Sequence, residues 1–102
     1  MRFIGYMEWH GKDPDVWDAI DNAIQEERKK YPDRYPKKLL HQDGTPINYN
    51  IAGRIGHAFF LYEATEEQLI NLAARWFPDM SWKFVPIFES SKIGEAIDKL
   101  EK

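Results

Sequence analysis

The chain has 102 residues and no cysteine, carries a formal charge of −3, and is 43% hydrophobic and 15% aromatic. That length describes a single domain, residues 1–102, with one modest core. The missing cysteine excludes disulfides, a thiolate nucleophile, an iron–sulfur cluster and cysteine-containing zinc sites, and the acidic balance argues against general attraction to nucleic acid or anionic membrane.

Residues 2–9 are rich in aromatic and branched side chains and lead into His10-Gly11-Lys12-Asp13-Pro14, which is turn chemistry, so they read as a first strand. The same stretch is interrupted by Glu8 and lacks a small-residue cleavage site, which speaks against a signal peptide. No window reaches the roughly 18 apolar residues of a membrane span. A cytoplasmic location is the expectation. Asp13 as cap and Pro14 at the first helical position predict a helix over 14–30, its apolar face built from Val16, Trp17, Ile20, Ala23 and Ile24. Acidic residues crowd its start and Arg28-Lys29-Lys30 its end, as the helix dipole favours.

Residues 31–46 hold three prolines and Asp43-Gly44, which argues against one continuous element, although 37–42 suit a short edge strand. Residues 47–52 and 55–63 read as two strands joined by a tight hairpin at Gly53-Arg54. Thr65 and Gln68 have capping-box spacing and open a second helix with Leu69, Leu72, Ala73 and Trp76 on its apolar stripe. Ser81–Glu89 alternates as a further strand, which Pro86 assigns to a sheet edge or to a place beside a bulge. A final helix over 91–101 is expected to bury Ile93, Ile97 and Leu100.

This order is a split βαβ arrangement: an α+β, ferredoxin-like βαββαβ fold plus a C-terminal helix, with a four-stranded antiparallel sheet and helices on one face. The other face is left bare. Large apolar groups nevertheless occur on both parities, Ile4 and Tyr6 against Phe3, Met7 and Trp9, and Phe60 and Tyr62 against Phe59 and Leu61. Such a face exceeds what monomers usually expose, and a second copy, sheet against sheet, is the simplest cover.

The strand Phe3–Trp9, the hairpin Gly53–His57 running into Phe60–Ala64, and the tail from Trp76-Phe77-Pro78 to Trp82–Ile87 resemble the dimeric α/β-barrel superfamily. More narrowly, they resemble small prokaryotic proteins of unassigned function similar to muconolactone isomerase. That resemblance implies a homodimer with a small-molecule site. It includes cofactor-free mono-oxygenases, isomerases and haem-degrading enzymes, so it does not select a reaction.

The deduced pairing brings the end of the first strand beside the start of the 55–63 strand. Glu8, His10 and His57 then become acid–base candidates at one end of the sheet, with Arg54 on the adjoining hairpin. Surface or hydrogen-bonded histidines at strand ends are the plainer reading of His10 and His57, since no metal-ligand spacing occurs within one element. Tyr6 and Tyr62 offer phenols to a ligand or simply pack at an interface, and Trp9 and Trp82 are the pocket candidates, Trp17 and Trp76 being core. The expectation is no metal and no cofactor. The basic run Arg28–Lys30, Arg34 and Lys37-Lys38, interleaved with Tyr31 and Tyr35, reads as a solvated helix end rather than a nucleic-acid surface. Two functions fit this pattern. One is a homodimer binding a small, partly apolar ligand, with cofactor-independent isomerisation or mono-oxygenation as the open chemistries. The other is a non-catalytic module for dimerisation or partner recruitment.

Overall fold

A computed structural model describes residues 1–101. The elements in chain order are β1 (Arg2–Trp9), α1 (Pro14–Lys30), β2 (Lys37–Lys38), β3 (Asn48–Asn50), β4 (His57–Glu63), α2 (Glu66–Trp76), β5 (Met80–Ile87) and α3 (Ser90–Leu100). They form an α+β structure with one open antiparallel sheet in the order β2-β4-β1-β5, and β3 pairs with β4 on the same edge as β2. The arrangement is compatible with a ferredoxin-like fold. The sheet has five strands rather than the expected four, because the predicted edge stretch 37–42 contributes Lys37–Lys38 to it.

Both caps form as their side chains dictate. Asp13 accepts from the Asp15 amide at 2.9 Å, and in the capping box Thr65 Oγ1 accepts from the Gln68 amide at 3.2 Å while Gln68 Oε1 accepts from the Thr65 amide at 2.9 Å. β1 runs down the middle, with Met7 between Ala58 and Trp82 and Gly5 between Phe60 and Phe84. These residues face the helices. Met7, Ala58, Tyr62 and Met80 from the sheet meet Ile24 of α1 and Leu69, Leu72 and Trp76 of α2 to make the core.

Four expectations are corrected. Val16 and Ala23 of α1 are exposed, and only Ile24 of the predicted stripe is fully buried, since α1 approaches α2 closely but stands off from the strands. The strand predicted over 47–52 is reduced to Asn48–Asn50. The hairpin is longer than Gly53-Arg54: the Ile51 amide donates to the His57 carbonyl at 2.9 Å, the Arg54 amide to Ile51, and the His57 amide to Arg54. Two glycines at positive φ, Gly53 at 76° and Gly56 at 79°, fold this double turn, so β4 starts at His57 and Ile55 is fully exposed. Lastly, α3 buries nothing: Ile93, Ile97 and Leu100 are 48%, 47% and 86% exposed, and among the described residues α3 packs against no other element.

Between β2 and β3 the chain leaves the sheet edge and returns. The Leu39 amide donates to the Leu61 carbonyl, the Ile47 amide to Leu39, and the Leu61 amide to Ile47. Residues 40–46 thus form a small finger, closed by the Leu40–Pro46 bridge and turned at Asp43-Gly44. No helix is long and apolar enough to cross a membrane among the described residues.

Candidate functional site

Strand parity divides the candidate residues between two sides of the sheet. In β1, Gly5, Met7 and Trp9 face the helices, whereas Ile4, Tyr6 and Glu8 face away. In β4 the helix side receives Ala58, Phe60 and Tyr62, and the outer side His57, Phe59 and Leu61.

On the outer side, at one end, Glu8 lies between two imidazoles. Its Oε1 is 3.5 Å from His57 Nε2 and 3.9 Å from His10 Nδ1. His10 Nε2 is hydrogen-bonded to Ser81 Oγ at 2.8 Å, and its backbone is pinned by the His10 amide donating to the Asp79 carbonyl. The structure therefore gathers Glu8, His10 and His57, and a shallow depression lined by Glu8 and His57 continues past Tyr6, Ser81 and Lys83. Arg54 sits on the preceding turn and shares a separate depression with Ile55 and His57. Among the described residues, no group of three His, Asp or Glu side chains is placed to hold a metal ion. The chemistry available to the cluster is proton transfer between carboxylate and imidazole. Farther along this side, Tyr6, Phe59, Tyr49 and His41 form a chain of neighbouring rings, with centroid separations of 6.0, 5.4 and 6.3 Å.

On the helix side lies a cavity. Its sheet wall is Phe60, Tyr62 and Trp82, its helix wall is Trp17, Ile24, Leu72 and Trp76, and its rim carries Asp21, Gln25, Arg28 and Lys38. About 60 Å³ is free for the centres of water-sized groups, several times what one water needs. Phe60 and Tyr62 stack at 5.9 Å, Trp82 and Phe84 at 5.5 Å, and Trp82 also meets both Phe60 and Tyr62. The indole N–H of Trp82 is buried with no acceptor, a state that costs about 1–3 kcal/mol. Burial raises the Tyr62 phenol far above its ordinary pKa, with Arg28 acting the other way, so Tyr62 remains a neutral hydroxyl.

Of the two predicted pocket tryptophans, Trp82 lines this cavity. Trp9 instead packs edge-on against Trp17 and Trp76, at 5.0 and 6.3 Å, and it is Trp17 and Trp76, read as core, that reach the cavity wall. Arg28 and Lys38 are the residues that sequence reasoning missed. They belong to the basic run assigned to solvent, yet β2 turns Lys38 inward, with Nζ 5.7 Å from the Phe60 ring centre. Burial lowers the Lys38 pKa, the neighbouring Arg28 lowers it further, and Asp21 opposes both. Arg28 Nη1 donates to the Pro36 carbonyl at 2.8 Å.

Comparison of the chain with protein-family models, with curated proteins and with solved structures finds no match. The functional reading rests on the geometry of these two sites. The sheet separates them, so Glu8, His10 and His57 cannot act on a molecule held beside Tyr62 and Trp82.

Proposed function

We propose that the protein binds a small, partly apolar molecule between its helix layer and its sheet, and that it does so as a homodimer, a dimeric α/β barrel whose outer sheet faces meet. The observation that carries the binding reading is the cavity itself: an aromatic chamber with a few polar groups at its rim, the composition of small-molecule sites. A small protein gains no stability from leaving such a space unfilled.

The dimer accounts for the outer face. Ile4, Phe59, Leu61, Val85 and Ile87 are only half-buried there and Tyr6 is 39% exposed, with no element of the same chain over them. A second copy would also close the shallow depression beside Glu8 and His57 into a seam. Any isomerisation or mono-oxygenation by the Glu8, His10 and His57 cluster belongs to that seam, with Glu8 as the base and the imidazoles as proton carriers.

Thermal shift and tryptophan fluorescence with small phenolic, quinone-like and lactone compounds test the binding reading. Trp17, Trp76 and Trp82 all line the cavity, so occupancy is expected to change the emission and raise the melting temperature together. Absence of both responses across the whole panel would sink it.

A further inference from the structure

We propose that the ligand of the cavity is an anionic aromatic compound, with its ring among Phe60, Tyr62, Trp76 and Trp82 and its negative group at the rim between Lys38 and Arg28. The inference rests on the cavity being a ligand site and adds the charge and shape of what enters it.

The charge follows from how the rim is built. β2 pairs Lys37 with Glu63 and Lys38 with Tyr62, and successive side chains of a strand point to opposite faces. Lys38 is therefore turned toward the helices, and its Nζ lies over the Phe60 ring. α1 brings Arg28 to the same rim, one turn beyond Ile24. Asp21 is the single carboxylate on the cavity lining, so two cations face one anion. Desolvated like charges repel, and Lys38 bears the cost: its ammonium is held less firmly than a solvated one, first by burial and then by Arg28. A carboxylate or phenolate placed between the two removes that repulsion and gains charge-assisted hydrogen bonds, and the guanidinium keeps N–H groups beyond the one given to Pro36.

The shape follows from the walls. Phe60 and Tyr62 lie nearly parallel, with an interplanar angle of 16°, and Trp82 is tilted against each, by 50° and 59°. Flat faces at these mutual angles receive a ring by offset or edge contact. The free space suits one ring with a small substituent.

Matched acid and amide probes test the proposal: benzoate against benzamide and phenylacetate against phenylacetamide, titrated by tryptophan fluorescence at neutral pH and low salt. The acid of each pair is expected to bind at least tenfold more tightly. Lys38→Met is expected to bring acid and amide within about threefold of each other while leaving the amide unchanged. The unliganded variant is expected to melt no lower than the parent, because it loses a repelled cation. Asp21→Asn moves the charge balance the other way and is expected to tighten acid binding severalfold, so the proposal does not depend on one variant. Amides that bind as well as their acids overturn the anionic class, a Lys38→Met protein that keeps the acid preference overturns the placement of the negative group between Lys38 and Arg28, and either result leaves the cavity standing as a ligand site. Failure of every probe to bind overturns both.

Discussion

Gly5 is the residue on which the cavity depends most. A Cβ at that position would lie 2.9 Å from Tyr62 Cε2, 3.1 Å from Trp82 Cζ3 and 3.2 Å from Phe84 Cε1. The three rings close over the central strand only because it carries no side chain there. Gly5→Ala is expected to cost about 1–3 kcal/mol, the usual range for overpacking, and to weaken ligand binding by displacing Tyr62 and Trp82. A chemical melt and a near-ultraviolet circular dichroism spectrum read the two effects, and an unchanged aromatic spectrum would contradict the account. The residue scale also marks where sequence reading works. Glu8 and His10 share a parity and His57 opens the paired strand, so strand order alone brings them to one end. Lys38 was illegible for the opposite reason. Its strand has two residues, too few for alternation to register, and the basic run around it has the composition of a solvated surface.

Among elements, the segment 31–36 reads in sequence as proline-rich coil but works as a strap between the two helices. Tyr35 is 2% exposed and its hydroxyl donates to Glu27 of α1. Arg34 and Arg75, the latter from α2, also pair with Glu27. The Gln68 and Asn71 side-chain amides hold the carbonyls of Asp33 and Arg34, each at 2.9 Å. Glu27→Ala removes the acceptor for a buried phenol. The expected loss is about 1–3 kcal/mol in urea denaturation, most of it from Tyr35, because both arginines are about 40% exposed and their ion pairs are screened. Tyr35→Phe combined with Glu27→Ala should cost little more than Glu27→Ala alone; additive losses would place the effect elsewhere. Such a strap depends on contacts eight and forty residues apart, which no local pattern announces. The capping box at Thr65, complete within four residues, was legible in full.

The whole molecule exposes 7526 Å², against about 6,000 Å² for a monomer of this mass. Its radius of gyration is 16.1 Å, where about 13 Å is usual for this length. α3 stands away from the sheet with an exposed apolar stripe of Ile93, Ile97 and Leu100. A lone helix of 11 residues is marginal in water, so its stripe calls for a partner surface, and in the proposed dimer that surface belongs to the second copy. Ile97→Asp is expected to weaken the dimer at least tenfold in sedimentation velocity while leaving the near-ultraviolet spectrum of the core intact. A parent protein that sediments as a monomer at tens of micromolar is incompatible with the dimer. The periodicity of this helix was plain in the sequence, but its burial was not, because the pattern names an apolar side without naming what meets it.

Both borders of the sheet are blunted. On one side the finger at 40–46 breaks the border into lengths of two and three residues, and on the other Pro86 withholds an amide from β5. Strand borders left long and flat recruit further chains without limit. Both interruptions work against growth by strand addition, and the apolar outer face and the stripe of α3 are the surfaces left for self-association. In the proposed dimer the outer faces meet about a twofold axis and the closed interface ends the assembly, so the apolar outer face, largely Ile4, Leu61, Val85 and Ile87 with Tyr6 and Phe59, is expected to stop at two copies rather than lead on to fibrils.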